Sequence, residues 1–506
     1  MLQQFSILAP NKPIYITTIK KWLELRDLNA FNAVVQKGWL NRQNWNGQMS
    51  VAIHPVIASV IQYMNLPDAN SCDRLIGHVA DDLILGEKEI FTNKLSTIIH
   101  ADAIIKSVFI RTENYASLLY HGAIIHTYQG EYKTALTWHQ IASSIRESLL
   151  GTSNADTADS FNCVGSVYDN QGEYPKALEW HQKALKIYRN VLGEQHPNTA
   201  NCIGSIGVVY FRQGNYPEAL KWYQRALDIQ TNTLGKHPDT AVTYNDVGYL
   251  YVRLGKFETA LTQYQKALEI DMEILGETHP DTITVRHNIA MAYSNLGQHE
   301  QALKWYHEVL KVRESVFGDN HPQTAKAYHN TAAAYFRYGK NEDALRLYIK
   351  AIEIDENTLG SMHPYTADAW HGAANVYARL GEYEKALPLF QKGLRVKKSV
   401  LGSKHSDIAS FYHGIASVYA YQKKYKKALK FFRKSLCIRE NILGPNHLNT
   451  ANTYCKIADV YFNQGKCMQA VTLYQKAIKV YTELLGPYHE ITIKATKKVQ
   501  NYEIFV

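Results

Sequence analysis

The sequence predicts an all-α chain: an α-solenoid of about nine helical pairs, preceded by a small irregular region. Three observations predict it. A Leu/Phe-Gly pair recurs at Gly151, Gly193, Gly235, Gly276, Gly318, Gly360, Gly402, Gly444 and Gly486, a step of 42 residues with a single step of 41. Each copy carries two runs of apolar residues at helical spacing. Certain columns, read down the copies, never change size.

The first hundred residues do not follow the period. MLQQFSILAP reads as the end of a helix and TTIKKWLEL as a short one. In DLNAFNAVVQKGWL, Asp27 is an N-cap, Leu28, Phe31, Val34 and Val35 share a face, and Gly38 is the stop. NRQNWNGQMSVAIH reads as a hairpin turning at Asn46-Gly47, a type I′ signal. HPVIASVIQYM returns to helix, and Asn65–Phe109 reads as two or three unequal helices.

Within a copy, Phe161, Val164, Gly165 and Tyr168 fall at i, i+3, i+4 and i+7 of a first helix over 157–172. A second helix, about 174–191, carries Ala177, Leu178, His181, Ala184 and Leu185. Gly193 suits the αL position that ends it, and Pro197 the first turn of the next. Tyr168, Tyr210, Tyr251, Tyr293, Tyr335, Tyr377, Tyr419 and Tyr461 form an unbroken column, as do the alanines from Ala177 to Ala470. The column from Gly165 to Ala458 is always small. Small residues let helices approach closely, and stacking buries a face that no single pair could bury alone. The histidines after each closing glycine, His196 to His489, read as turn and cap residues.

The pattern of small residue, Tyr, Gly-x-Tyr/Phe, Ala-Leu, aromatic and Ala-Leu resembles the tetratricopeptide repeat, and the 42-residue period with LGxxHPxTA is similar to its kinesin-light-chain-type subclass. The resemblance implies a right-handed superhelix. With the helix–helix–hairpin–helix order of the first residues read as winged-helix-like, the chain divides into that segment (1–64), an irregular helical connector (65–111), a degenerate first repeat (112–151), eight repeats (152–490) and a C-terminal helix or tail (491–506). The resemblance also implies that the first-helix face at i, i+4, i+8 lines a concave groove holding a peptide. The columns on that face vary between copies. The expected partner-binding residues are Asn162, Asn170, Arg212, Asn245, Arg253, His287, Asn295, His329, Arg337, His371, Asn375, Arg379 and His413. Asparagine bonds a peptide backbone in both directions, and arginine grips carboxylates as a fork, so the expected partner is a peptide or protein with acidic residues. Four histidines stand in one column, at His287, His329, His371 and His413. Neighbouring helix axes lie about 8–10 Å apart, too far for several copies to share a metal whose Zn–N bonds measure about 2 Å. A histidine stack in a groove would instead make binding pH-sensitive.

GWL, the hairpin and IHPVIASVI resemble the winged-helix segment that follows the nucleotide-binding core of STAND-type NTPases, which continue into irregular helices and a tetratricopeptide array. No Walker A lysine precedes it here, so the chain reads as the sensor-side half of a switch, without its motor. A helical cap on the array is the plainer alternative. DNA binding fits poorly, because Leu28–Lys37 carries one basic residue and phosphate contacts need more.

Composition agrees with a folded protein: of 506 residues 46% are hydrophobic and 20% charged, with a net charge of +9. The six cysteines show no metal spacing and read as reduced, buried or half-buried thiols in the cytoplasm. No run approaches the ~18 apolar residues of a membrane span. None of GxxxxGK[ST], GxSxG or HExxH occurs. The expectation is therefore a scaffold or adaptor, not an enzyme, with no cofactor or metal, and with neither nucleic acid, membrane nor small-molecule substrate as its partner.

Overall fold

The computed structural model describes residues 8–9, 12–24, 29–36, 40–45, 48–53, 58, 69–84, 94–402, 405–488 and 490–503. The expectations placed on Asp27, Leu28, Gly38, the Asn46-Gly47 turn, the side chain of Val34, most of 54–64 and His489 lie outside the described residues. The chain folds as two compact units, Met1–Leu250 with Glu269–Leu275, and Tyr251–Leu268 with Gly276–Val506.

In the first unit, β1 (Ile14–Tyr15) leads into α1 (Ile16–Trp22), and α2 (Asn29–Gln36), β2 (Leu40–Trp45) and β3 (Gln48–Ile53) follow. The strands form an antiparallel sheet in the order β1-β3-β2, with Leu40 opposite Ile53, Trp45 opposite Gln48 and Ile14 opposite Val51. The sequence anticipates the hairpin but not β1, because a two-residue strand has no alternation to read. Leu8 and Ala9, expected to end a helix, are buried but not helical. Next come α3 (Ala69–Leu83) and α4 (Leu95–Ser107). Asp82 at the end of α3 accepts from Lys21 and Trp22 of α1. Asp73 accepts from Thr112 (2.6 Å) and Asn114 (2.8 Å), where the first helical pair begins. One core therefore runs from Leu8, Ile19 and Trp22 through Val79 and Ile104 to Trp138 and Ile145.

The pairs of this unit are α5 (Glu113–Gln129) with α6 (Tyr132–Leu150), α7 (Ala155–Asn170) with α8 (Tyr174–Val191), and α9 (Pro197–Arg212) with α10 (Tyr216–Thr233). Helices α11 (Pro238–Arg253) and α12 (Phe257–Ile274) have residues in both units. The second unit stacks α13 (Pro280–Asn295) with α14 (His299–Phe317), α15 (Pro322–Tyr338) with α16 (Asn341–Thr358), and α17 (Pro364–Arg379) with α18 (Tyr383–Leu401). It continues with α19 (Ser406–Tyr421) and α20 (Tyr425–Leu443), α21 (Leu448–Asn463) and α22 (Cys467–Leu485), then α23 (Glu490–Glu503).

The constant columns account for the stack. A Cβ on Gly207 would sit 2.8 Å from the Tyr223 ring, so that position of α9 must stay small. The column alanines Ala177 to Ala470 are at most 1% exposed. The column tyrosines are half-buried and straddle copies: Tyr419 stacks on Phe431 of its own pair, while the Tyr461 hydroxyl accepts from Arg433 of the preceding pair at 2.9 Å.

The LGxxHPxTA turn is a hydrogen-bonded device. Histidine Nδ1 accepts the backbone N–H two residues on at His196, His237, His279, His321, His363, His405 and His447, at 3.0–3.2 Å, and so caps each first helix. The threonine hydroxyl donates to the glycine carbonyl six residues back, as Thr324 does to Gly318 at 2.7 Å. In the one shortened turn, LGKHPDTA, buried Thr240 keeps its hydroxyl without a partner. The expected αL stop needs correction in the closing glycines whose ψ is known: Gly318 has φ +84° and ψ 168°. That region belongs to glycine alone. The αL conformation occurs inside the pairs, as at Gly339 (φ +89°, ψ 0°). In one copy Lys423 takes the equivalent place at φ +58°.

All six cysteines are free. Cys437 is exposed, contrary to the expectation of burial.

Candidate partner-binding face

On the first helices, the expected partner-binding residues follow a gradient of exposure. Those at the first column, Asn162, Asn245, His287, His329, His371 and His413, are half-buried; Asn375 in the middle column is too. In the last column Asn170 is half-buried, and Arg212, Arg253, Asn295, Arg337 and Arg379 are exposed. The first column lies against the second helix of its own pair, and its side chains are used there. Asn162 Oδ1 accepts from His181 Nδ1 at 2.7 Å. The imidazoles of His287, His329, His371 and His413 meet Tyr306, Tyr348, Phe390 and Phe432 edge-on, with centroids 5.1–5.4 Å apart. Burial pushes these histidines down to about 4, and His413 to about 3. They stay neutral near pH 7 and for some distance below it, so the stack is a set of half-buried packing rings and not a proton sensor near neutrality. Among the described residues no three His, Cys, Asp or Glu side chains converge as metal ligands.

The arginines of the last column tie copies together. Arg212 donates to Asn170 Oδ1 (3.0 Å) and pairs with Asp169 (2.9 Å), one copy back. Burial raises the pKa of Asp169 although Arg212 opposes it. In the same unit, burial pushes Asp246 up to about 7 against the pull of Arg212. In the second unit Arg337 donates to Ser294 Oγ (3.2 Å). Arg379 donates to the Phe336 carbonyl (2.6 Å) and lies 3.6 Å over the Phe336 ring. Each guanidinium has five N–H donors, so these ties leave donors on Arg337 and Arg379 for a second acceptor.

A second-helix column escaped the sequence reading. At the repeat spacing stand Arg146, Tyr188, Gln230, Asp271, Arg313, Asp355, Lys397, Arg439 and Tyr481, all but Arg313 buried. They bolt the second helix to its own first helix and to the next copy. Arg146 meets Glu113 (2.9 Å), Ser117 and Ser160 (both 3.1 Å). Gln230 donates to Asn201 (2.8 Å). Lys397 pairs with Asp368 (2.8 Å) and Asp407 (3.0 Å). Arg439 donates to Thr453 (2.7 Å) and the Asn449 carbonyl (3.0 Å). The signal was present in the sequence as a long polar residue repeating inside an apolar helix face. Asp355 differs: it is 5% exposed, and no donor or cation among the described residues meets its carboxylate. Burial, and then Asp368, push it up to about 6.

Two cavities of the second unit open at first-helix columns. One of about 180 Å³ is lined by Lys326, His329, Asn330, Asp355, Tyr365 and Asp368. Another, of about 220 Å³, has Ser417, Tyr421, Lys456, Asp459 and Asn463 in its wall.

Stacked helical pairs with constant interiors and a varied first-helix face make the class a repeat-built protein-interaction module. The tetratricopeptide repeat family matches residues 156–232, 203–273, 239–306, 281–357, 339–399 and 407–483, and the chain belongs to that family. No curated protein matches the sequence. Among solved structures the chain is similar to a signal transduction ATPase with numerous domains (STAND) from Pyrococcus horikoshii that has a tetratricopeptide repeat sensor. The identity is 15%, over 94% of this chain and 65% of that one, with a TM-score of 0.56. It is similar to the apo quorum sensor NprR of B. thuringiensis at 19% identity, over 71% of this chain and 99% of that one, TM-score 0.50. A Podosopora anserina protein described as a kinesin light chain, with nearly identical TPR-like repeats, shares 22% identity over 40% of this chain and 97% of that one, TM-score 0.34. No helix among the described residues is long and apolar enough to cross a membrane.

Proposed function

We propose that the chain binds a peptide or protein segment along its first-helix faces, as a scaffold or adaptor that catalyses no reaction, in the cytoplasm. The observation that carries this reading is the pair of cavities opening where the repeat columns vary, at His329 and Asn330 and at Ser417, Tyr421 and Asn463. The thirteen residues expected from the sequence remain the contact set. Within it the exposed last column makes the first contacts and the half-buried histidines line the floor. A preference for acidic side chains belongs to the copies of Arg337 and Arg379, because Arg212 is already matched by Asp169. The proposed domain limits are 1–64, 65–111, 112–151, 152–490 and 491–506.

Selection of a random peptide library on the full chain tests the reading. Retained peptides are expected, and Arg337→Glu with Arg379→Glu is expected to weaken them while leaving helicity intact. A library that yields no retained peptide, or peptides indifferent to these and to other first-helix substitutions, overturns it.

A second reading has its own support. The order β1, α1, α2, β2, β3 with a three-stranded antiparallel sheet suits a winged helix, and the likeness to the STAND protein extends over 94% of this chain. On this reading the array is the ligand-sensing half of a switch whose nucleotide-binding part is supplied elsewhere. It predicts that the captured ligand alters ATP turnover by such a partner; ligand binding without that effect leaves only the scaffold.

A further inference from the structure

The buried second-helix column contains the same pair of charges twice, in opposite order. Lys397 in α18 reaches Asp368 in α17, 29 residues earlier, and closes an ion pair at 2.8 Å. One copy back the charges are exchanged: Asp355 in α16 stands 29 residues after Lys326 in α15. This pair does not close, and among the described residues no cation lies within 4.0 Å of the Asp355 carboxylate. Lys326 is exposed at the rim of the cavity.

The surroundings fit a cation. Asp355 is 5% exposed and forms the floor. Asp368 adds a second carboxylate, already shared with Lys397. His329 is held neutral by burial, so it presents no opposing charge near pH 7. Asn330 offers an amide oxygen, and Tyr365, 54% exposed, supplies an aromatic wall for an alkyl stem or a cation. A cavity of about 180 Å³ exceeds the ~30 Å³ share of one water several times over. A buried ionised carboxylate without a partner is costly, and an arriving cation would relieve that cost as it binds.

We propose that the cavity at Asp355 is a subsite for a cationic group, the ammonium or guanidinium of a lysine or arginine side chain in the bound segment. The proposal rests on the first-helix face being the binding face. It adds a basic residue to a segment whose acidic residues meet Arg337 and Arg379. His329 and Arg337 are eight residues apart on α15, about 12 Å along the axis, so the two requirements fall on different parts of the segment.

The test incubates the immobilised full chain with two random dodecapeptide libraries, one N-acetylated and one with free amines, and sequences what is retained. Lysine and arginine are expected to be enriched about tenfold in the acetylated pool, the scale of one charged hydrogen bond. Asp355→Asn should abolish that enrichment and Asp355→Glu should keep part of it. Lys326→Gln should increase it, since the rim cation competes. Enrichment confined to the free-amine pool would assign the subsite to a peptide N-terminus and overturn the side-chain assignment. Pools with the same lysine and arginine content for wild type and Asp355→Asn overturn the cation subsite, while retention sensitive to Arg337→Glu keeps the binding face. If Lys326→Gln destabilises the fold and enrichment stays at background, Lys326 serves Asp355 internally and the proposal fails. Retention of no peptide at all removes the face and the subsite together.

Discussion

Replacing Asp355 by asparagine is expected to make the protein more stable. The residue is 5% exposed, its carboxylate has no partner among the described residues, and burial raises its pKa from 3.8 to about 6. A rise of about two units is worth about 3 kcal/mol at a pH where the group is ionised in both states. The sign follows from proton counting. Between 3.8 and about 6 the native state binds more protons than the unfolded chain, so this group's contribution falls as pH rises through that window and is fully unfavourable above it. Asparagine removes the charge but still buries an amide, which returns about 1–2 kcal/mol of the gain. The net expectation is about 1–2 kcal/mol in favour of Asp355→Asn at pH 7.5, and near zero at pH 5, where the carboxylate penalty has halved but the amide cost has not. Repeat arrays unfold by parts, so the assay is urea unfolding at both pH values together with native-state hydrogen exchange of 341–358. Equal stability at pH 7.5, or an advantage that grows on acidification, would refute the reasoning. If the variant is more stable and yet loses the cation, Asp355 trades stability for binding.

The other predictions concern neighbouring features. Lys397→Met should cost about 2 kcal/mol, less than the ~3–5 for a fully buried pair, because Asp368 and Asp407 are 41% and 40% exposed and rehydrate; a shift in urea midpoint checks it. His371→Asn should reduce the stability lost between pH 7 and 5 by about 2 kcal/mol. The folded ring stays neutral down to about 4 while the unfolded one takes a proton from 6.5, so the wild type weakens as pH falls; thermal melts at the two pH values measure it. Lys423→Gly should raise stability by about 0.5–1 kcal/mol, since a lysine at φ +58° carries left-handed strain that glycine does not.

The repeat was legible because its physics is periodic. A second helix expected over about 174–191 runs Tyr174–Val191, and the turn histidines cap as expected. Strand β1 was not legible, because two residues carry no period. The closing glycines signalled a positive φ, but the φ +84°, ψ 168° of Gly318 depends on the threonine bond across the turn, a tertiary detail. On the candidate face, sequence placed residues by column but not by depth. His329 and Arg337 share a helix face eight residues apart, yet one is half-buried and packed on Tyr348 and the other is exposed. The buried column from Arg146 to Tyr481 was visible as spacing, but its meaning required knowing which second-helix positions face the next copy. That Asp355 lacks the kind of partner that Lys397 has one copy on depends on whether Lys326 closes onto it, which no sequence pattern encodes.

The central claim is that this chain reads its partner with the first helices of its repeats. The most direct test is a hydrogen-exchange and cross-linking footprint of a selected peptide on the full chain. Protection and cross-links concentrated on 322–338, 364–379 and 406–421, and lost with Arg337→Glu and Arg379→Glu, are the predicted result. A footprint on the exposed side of the second helices, such as 383–401 and 425–443, unaffected by those substitutions, would contradict it.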